Sequence, residues 1–584
     1  RDVAPSRGLG DVYKRQSLTR LNFNFQAAAS SRLISIGKIM DSQSEKAERE
    51  ESRLQFNKQL FKTYLALDHW HRFRLRLFLE GILVGIAGGL LIALFRFLLG
   101  LADTYRRRLF QEIIIPSFGI SDFLPLLWWL AALFFIGGAL YVMCRYAPMA
   151  SGSGIPQVKG VILGFFKMKW FRILWVKITA GALGIGAGLS LGREGPSIQI
   201  GAVAAQGLSR FMGRTRMEER YLITSGASAG LAAAFNAPLA GTMFALEELH
   251  RNFSGAVLLP TMASAISATI VSQFFFGSAT SFSFPLLVHL PSEYLWCVVL
   301  IAVSCGFAGI VFNYGLLHMD AFYGLPVFRN QYMKIMFALF AATILAFTLP
   351  DVLGGGNFLV DSLAKARYGF GFLAALLLAK FLFTLISYGC GVPGGFFLPL
   401  LVIGALIGSL EGELLISAGI LSALYLPNII IIAMVAFFAA SIRAPITGTL
   451  LILEMTGDFH HLTALALASA VAYVTAELLK GQPIYDSLLK KSLSNDSTPV
   501  SDEERNILEV PVGSGSILEN RTVEEIPRLS HTILVNIKRQ GADMIPDPDT
   551  KLLSGDFLYF LTESRHTEEI HHLCEAQIPK DHIR

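Results

Sequence analysis

The chain has 584 residues, of which 53% are hydrophobic and 16% charged, and its mean hydropathy is +0.52. A balance this apolar excludes an ordinary soluble globular protein and places the chain in a bilayer. The net charge of +5 is no more than positive-inside loops supply. No Lys/Arg tract interleaved with aromatics points to nucleic acid. The five scattered cysteines, Cys144, Cys297, Cys305, Cys390 and Cys574, contain no CxxC pair and give neither a disulfide framework nor a metal site.

Residues 1–39 show no apolar periodicity and no signal-peptide architecture. Met40 reads as a start, and Asp11-Val12-Tyr13-Lys14-Arg15-Gln16 resembles translated sequencing-adapter read-through, so residues 1–39 are expected to be a non-native or disordered extension. Residues 40–75 are charged and helix-prone, with Lys46, Arg49, Arg53, Lys58, Lys62, Arg72 and Arg74, and then Arg76, ahead of the first apolar span. That bias predicts a cytoplasmic N-terminus. A membrane domain is expected over 76–490, with apolar stretches beginning near Phe78, Leu124, Phe171, Gly255, Leu295, Met333, Phe372, Ile429 and Leu462, several reaching the roughly 20 helical residues a span needs. Others are cut short by Gly and Pro. Irregular backbone at membrane depth is tolerated only where it is buried or lines a wet cavity, so these interruptions predict a binding site.

The chain repeats itself. Asn236-Ala-Pro-Leu-Ala-Gly-Thr-Met-Phe-Ala-Leu-Glu247 matches Arg443-Ala-Pro-Ile-Thr-Gly-Thr-Leu-Leu-Ile-Leu-Glu454 at an offset of 207 residues, and Gly192, Pro196, Ile200, Gly201 and Ala202 match Gly395, Pro399, Ile403, Gly404 and Ala405 at 203. Two related halves facing one another across a midplane site make a transporter architecture.

Three glycine-rich elements share one grammar, a flexible loop followed by proline and a short apolar helix: Gly152-Ser153-Gly154-Ile155-Pro156, Gly192-Arg193-Glu194-Gly195-Pro196 and Gly394-Gly395-Phe396-Phe397-Leu398-Pro399. Proline suits the first helical turn, where its missing amide has no intrahelical partner. Each element therefore reads as a buried helix N-terminus, carrying free N–H groups and about half a positive charge. Three such ends together hold an anion without a full cation touching it. The alternative, close helix packing through small residues, is the reading for Gly81, Gly85 and Gly89 of the first span.

These motifs, with Gly481-Gln482-Pro483-Ile484-Tyr485, resemble the signature regions of the CLC chloride channels and transporters over residues 76–490. The resemblance implies an all-α polytopic fold of two inverted-topology repeats of tilted and broken helices, working as a homodimer with one pore per subunit. It also implies an anion held by the Ser153 hydroxyl, the Phe396 and Phe397 amides and the Tyr485 hydroxyl, all neutral donors that permit release. Glu194 is an acid inside an element that attracts anions, and its repeat counterpart is Phe397. Ionised it competes with chloride, and protonated it leaves the path; adjacent Arg193 is not expected to face it. Glu247 matches Glu454 and reads as structural, whereas Glu248 matches Met455. In the family an acid at the position of Glu248 relays protons and marks exchangers rather than passive channels, the runner-up reading. Lys177, Arg193 and Lys380 are expected to raise the local potential for anions. Gln157 and Lys159 depart from the family, standing where many relatives carry acids. Relatives that export fluoride lack the serine found here at Ser153.

Gly226-Ala-Ser228-Ala-Gly230 is a literal GxSxG match to a nucleophile motif, but its helical, small-residue context reads as packing, and neither enzymatic activity nor a cofactor is expected. After a linker at 491–505, short strands at Ile507–Val512, Ile533–Ile537 and Phe557–Leu561 predict a small cytoplasmic α/β module over 506–565, followed by a tail at 566–584. Residues 541–563 resemble the C-terminal subdomain of the TrkA/RCK regulators of potassium transport, which implies a regulatory module with a small cytosolic ligand such as a nucleotide. The expected setting is a prokaryotic inner or plasma membrane, with both termini in the cytoplasm.

Overall fold

The computed structural model describes residues 41–119, 123–251, 253, 255–282, 284, 287–495, 505–527, 532–539, 542–563 and 566–574; the expectations for residues 1–39 lie outside these. The chain divides into two units, Arg1–Phe73 and Arg74–Arg584. Helix α1 has the bounds Asp41–Arg108, and its apolar part begins at Leu75.

The second unit continues with α2 (Leu124–Tyr146), α3 (Ile155–Leu163), α4 (Trp170–Gly186), α5 (Glu194–Phe211), α6 (Arg216–Phe235), α7 (Pro238–Phe244) running into a π-turn at Ala245–His250, and α8 (Gly255–Phe276). The order then recurs: α9 (Leu295–Tyr323), α10 (Gln331–Thr348), α11 (Asn357–Lys365), α12 (Phe370–Gly389), α13 (Phe397–Ser417), α14 (Leu426–Ile442), α15 (Pro445–Thr456) and α16 (Leu462–Leu478), closed by α17 (Ile484–Asn495). Among the described residues eight helices are long and apolar enough to cross a membrane. Large side chains such as Leu79, Phe135, Phe274, Phe307 and Leu378 lie exposed on them, where a bilayer and not water is the natural solvent.

The repeat extends to backbone detail. Helices α6 and α14 both end in a non-glycine residue of left-handed conformation, Asn236 at φ 61° and Arg443 at φ 72°, and α7 and α15 both start at the following proline. Helices α3 and α11 are each nine residues long at an offset of 202. The loop before α11, Leu353-Gly354-Gly355-Gly356, is thus the second-half counterpart of Ser151–Gly154. Gly152 and Gly354 share φ near 65° (65° and 64°) and Gly154 and Gly356 share φ near 90° (88° and 94°). The literal GxSxG lies inside α6, where Gly226 and Gly230 pack on the backbone of Gly201 and Ser197 in α5.

The C-terminal module is a four-stranded antiparallel sheet of β1 (Arg505–Pro511), β2 (Ile533–Arg539), β3 (Ala542–Met544) and β4 (Phe557–Glu563), in the order β1-β4-β2-β3. Strand β3 escapes sequence reading because three residues give no alternation. Helix α18 (Thr567–Cys574), in residues expected to be a tail, sends Ile570 and Cys574 into a core with Leu508, Val510, Leu558 and Phe560.

Candidate ion-binding site

Helices α3, α5 and α13 bring their N-termini to one place. Gly192 and Gly395 form an isolated antiparallel bridge, with N···O distances of 2.5 and 3.0 Å, and the Gly394 amide donates to Gly152 O at 2.9 Å. The fit requires glycine: a Cβ on Gly195 would stand 2.9 Å from Ser153 O, and one on Gly154 would collide with Gln199. Gln199 in turn donates to Met149 O at 2.9 Å and fixes the loop ahead of α3. Ile155 and Pro156 open α3, Pro196 sits in the first turn of α5 and Pro399 in that of α13.

Ser153 is 1% exposed, and its hydroxyl accepts from the Ile155 amide at 3.3 Å, leaving its proton to donate elsewhere. Phe396 and Phe397 begin α13, and their amides have no backbone partner among the described residues. The Tyr485 ring stacks on Phe396 at 5.4 Å with Phe244 edge-on at 6.4 Å, while its fully buried hydroxyl lacks a hydrogen-bond partner among the described residues. Leaving such a group unsatisfied costs roughly 1–3 kcal/mol, a cost an anion on Tyr485 removes. Tyr388, absent from the sequence-derived site, completes the wall: its ring meets Phe396 at 4.9 Å, and its hydroxyl lies against Gly152. Only its nearness to Gly391–Gly395 in sequence could have drawn notice.

Glu194, at the first position of α5, is 0% exposed. Its carboxylate lies over Gly192 and faces the Leu398 amide of α13, yet among the described residues neither oxygen makes a hydrogen bond of sound distance and angle. The expectation that Arg193 turns away is corrected: Arg193 Nε stands 3.7 Å from Glu194 Oε1. Arg193 is the N-cap of α5, so helical geometry does not fix its side chain away from its neighbour's. A separation of 3.7 Å is an ion pair without a hydrogen bond.

The two buried lysines are repeat mates. Lys177 donates to Ala150 O and Gly152 O at 2.9 and 2.7 Å, and Lys380 donates to Val352 O and Gly354 O, both at 2.8 Å. Each ammonium holds the loop that precedes a short helix, so these cations shape the site rather than touch its centre.

The neighbouring acids of the π-turn diverge. Glu247 accepts from the Ile446 and Thr447 amides at 3.2 and 2.8 Å, while Glu454 accepts from those of Leu239 and Ala240 at 3.0 and 2.8 Å. The carboxylate ending one half-helix thus caps the start of the other half-helix, in both directions. Glu248 points the other way and is 2% exposed. Lys159 donates to it at 2.7 Å and pairs with Asp486 at 2.5 Å; Asp486 in turn pairs with Arg251 at 2.5 Å. Lys159, a departure from the family pattern, lies 89 residues from this partner, and its own neighbourhood gives no sign of it.

A model of the voltage-gated chloride channel family matches residues 132–477, more than half of the chain. The chain belongs to this family. A second model, the TrkA-C domain, matches residues 507–574. Curated relatives from this family include a H(+)/Cl(-) exchange transporter ClcA of Vibrio cholerae, 34% identical over 72% of this chain and 90% of the relative, and one of Vibrio campbellii, 36% identical over 66% and 84%. Among solved structures of the family, a slow cyanobacterial Cl-/H+ antiporter is 32% identical, with a TM-score of 0.66, covering 72% of this chain and 99% of that one. A eukaryotic CLC transporter, 23% identical with a TM-score of 0.60 over 78% of this chain and 80% of that one, shares the fold.

Proposed function

We propose that this protein exchanges chloride for protons across a prokaryotic inner or plasma membrane. The observation that carries the reading is Glu194, a buried carboxylate without a sound hydrogen bond among three helix N-termini that attract anions. Chloride occupies a place bounded by Ser153, the Phe396 and Phe397 amides and Tyr485. Ionised, Glu194 competes for the same helix ends; protonated, it gives up that attraction and swings clear, so passage of the anion is tied to uptake of a proton. Glu248, held by Lys159 away from the anion path, exchanges protons with the cytoplasmic side. The protein works by moving ions and makes or breaks no substrate bond. It assembles as a homodimer with both termini in the cytoplasm, and the module from residue 506 is regulatory, with a small cytosolic ligand such as a nucleotide.

The test is paired chloride and pH recording on reconstituted vesicles under a chloride gradient. Wild-type protein should drive protons uphill. Glu194→Gln should keep chloride flux, lose its dependence on external pH and stop proton movement; Glu248→Ala should stop proton movement while chloride flux survives. Uphill proton transport by Glu194→Gln would sink the tethered-anion mechanism, and none by the wild type would make the protein a passive channel.

A further inference from the structure

Between the membrane helices and the C-terminal module lies a cavity of about 1700 Å3. That exceeds the roughly 300–1,000 Å3 of a typical small-molecule site. Its basic side chains come from both sides: Arg216 and Arg220 of α6 and Lys490 of α17 on one, His571 and His572 of α18 on the other. Arg216 and Arg220 stand one helical turn apart, where like charges disfavour each other, and guanidinium is a side-chain group suited to phosphate oxygens. The acids in the wall are already engaged. Glu509 accepts from the Tyr559 hydroxyl at 2.8 Å and also lies within electrostatic reach of Arg220, for which an entering anion competes, and Glu569 pairs with His566 at 3.0 Å. The remaining acid, Asp486, binds Lys159 and Arg251.

We propose that this cavity binds a phosphate-bearing anion, gripped by Arg216 and Arg220 on the membrane side and by His571 and His572 on the module side, and that its occupancy sets the rate of proton delivery to Glu248. The second half rests on the exchange function proposed above. Its basis is that Lys159 and Asp486 line the same cavity while Lys159 holds the Glu248 carboxylate. A polyanion there competes with Asp486 for Arg251 and Lys159 and so acts on the proton leg, leaving the chloride donors at the N-termini of α3, α5 and α13 untouched.

Calorimetry on the purified full chain, titrated with sodium tripolyphosphate and with ATP, tests binding without requiring transport. Saturable binding is expected, weakened at least tenfold in Arg216→Gln/Arg220→Gln and less than twofold in a control at exposed Arg329→Gln. If the double arginine variant does not fold, His571→Gln/His572→Gln serves in its place with the same expectation. In vesicles, tripolyphosphate on the module side should change proton flux at least threefold in the wild type and not in the variant. A parallel comparison of phosphatidylglycerol with phosphatidylcholine vesicles distinguishes the sources: an arginine-dependent lipid response without tripolyphosphate binding assigns the site to a lipid headgroup and sustains it. Absence of both responses, or binding indifferent to the arginines and histidines, overturns the proposal. A chain that binds tripolyphosphate yet moves no protons keeps the site and overturns the exchange reading instead.

Discussion

Ser153 and Tyr485 bring hydroxyls to the proposed anion place, and their energetic weight is open to measurement one atom at a time. Hydrogen bonds to charged groups contribute about 1.5–3 kcal/mol, so Tyr485→Phe should weaken chloride binding roughly tenfold in calorimetry while the ring keeps its stacking on Phe396. Ser153→Pro removes the other hydroxyl and should shift the flux ratio from chloride towards nitrate; an unchanged ratio removes Ser153 from the site. At this scale the sequence is legible where chemistry is local. Glycine and proline around Ser153, Glu194 and Phe396 announce helix starts because only those backbones allow them. It is silent where partners are distant: Lys159 and Glu248 stand 89 residues apart, and nothing in either neighbourhood names the other. Tyr388 is hidden for the same reason.

Helices α7 and α15 bind each other through reciprocal carboxylates, and an acid that caps two amides contributes about 1–2 kcal/mol. Glu247→Ala and Glu454→Ala should each lower the thermal stability of the detergent-solubilised protein by about that much, with the chloride-to-proton ratio of the surviving protein unchanged. A changed ratio at full stability would move Glu247 into the proton path. The 207-residue offset makes the two acids visible as a pair in sequence, but which amides they cap is a property of the assembled halves. The match of Leu353–Gly356 to Ser151–Gly154 goes unread because only two glycines and their backbone angles survive in it: Gly355 replaces Ser153, and Phe358 replaces Pro156.

The whole molecule joins a membrane domain to a module with a separate core, so a chain ending near Asn495 should still fold and transport chloride while losing any response to tripolyphosphate. Complete loss of flux from a properly assembled truncated protein would contradict this. The module carries its own acid limit. Burial opposes the charge of Asp556, yet hydrogen bonds from Arg539 and the Leu553 amide hold its carboxyl below the ordinary 3.8. A carboxyl depressed in the folded state stabilises above its unfolded value and loses that contribution as pH falls through the folded one. The module should therefore loosen below about pH 4 in circular dichroism, and Asp556→Asn should flatten this limb while costing roughly 1–3 kcal/mol at neutral pH. The mutual capping of α7 and α15 also sets a timetable for synthesis. The Leu239 amide precedes its Glu454 partner by 215 residues, which at about 5–20 residues per second is a delay of roughly 10–40 s on the ribosome. Throughout that interval the first half lacks this cap, and the free amides at the start of α7 need water, a lipid headgroup or another protein to satisfy them.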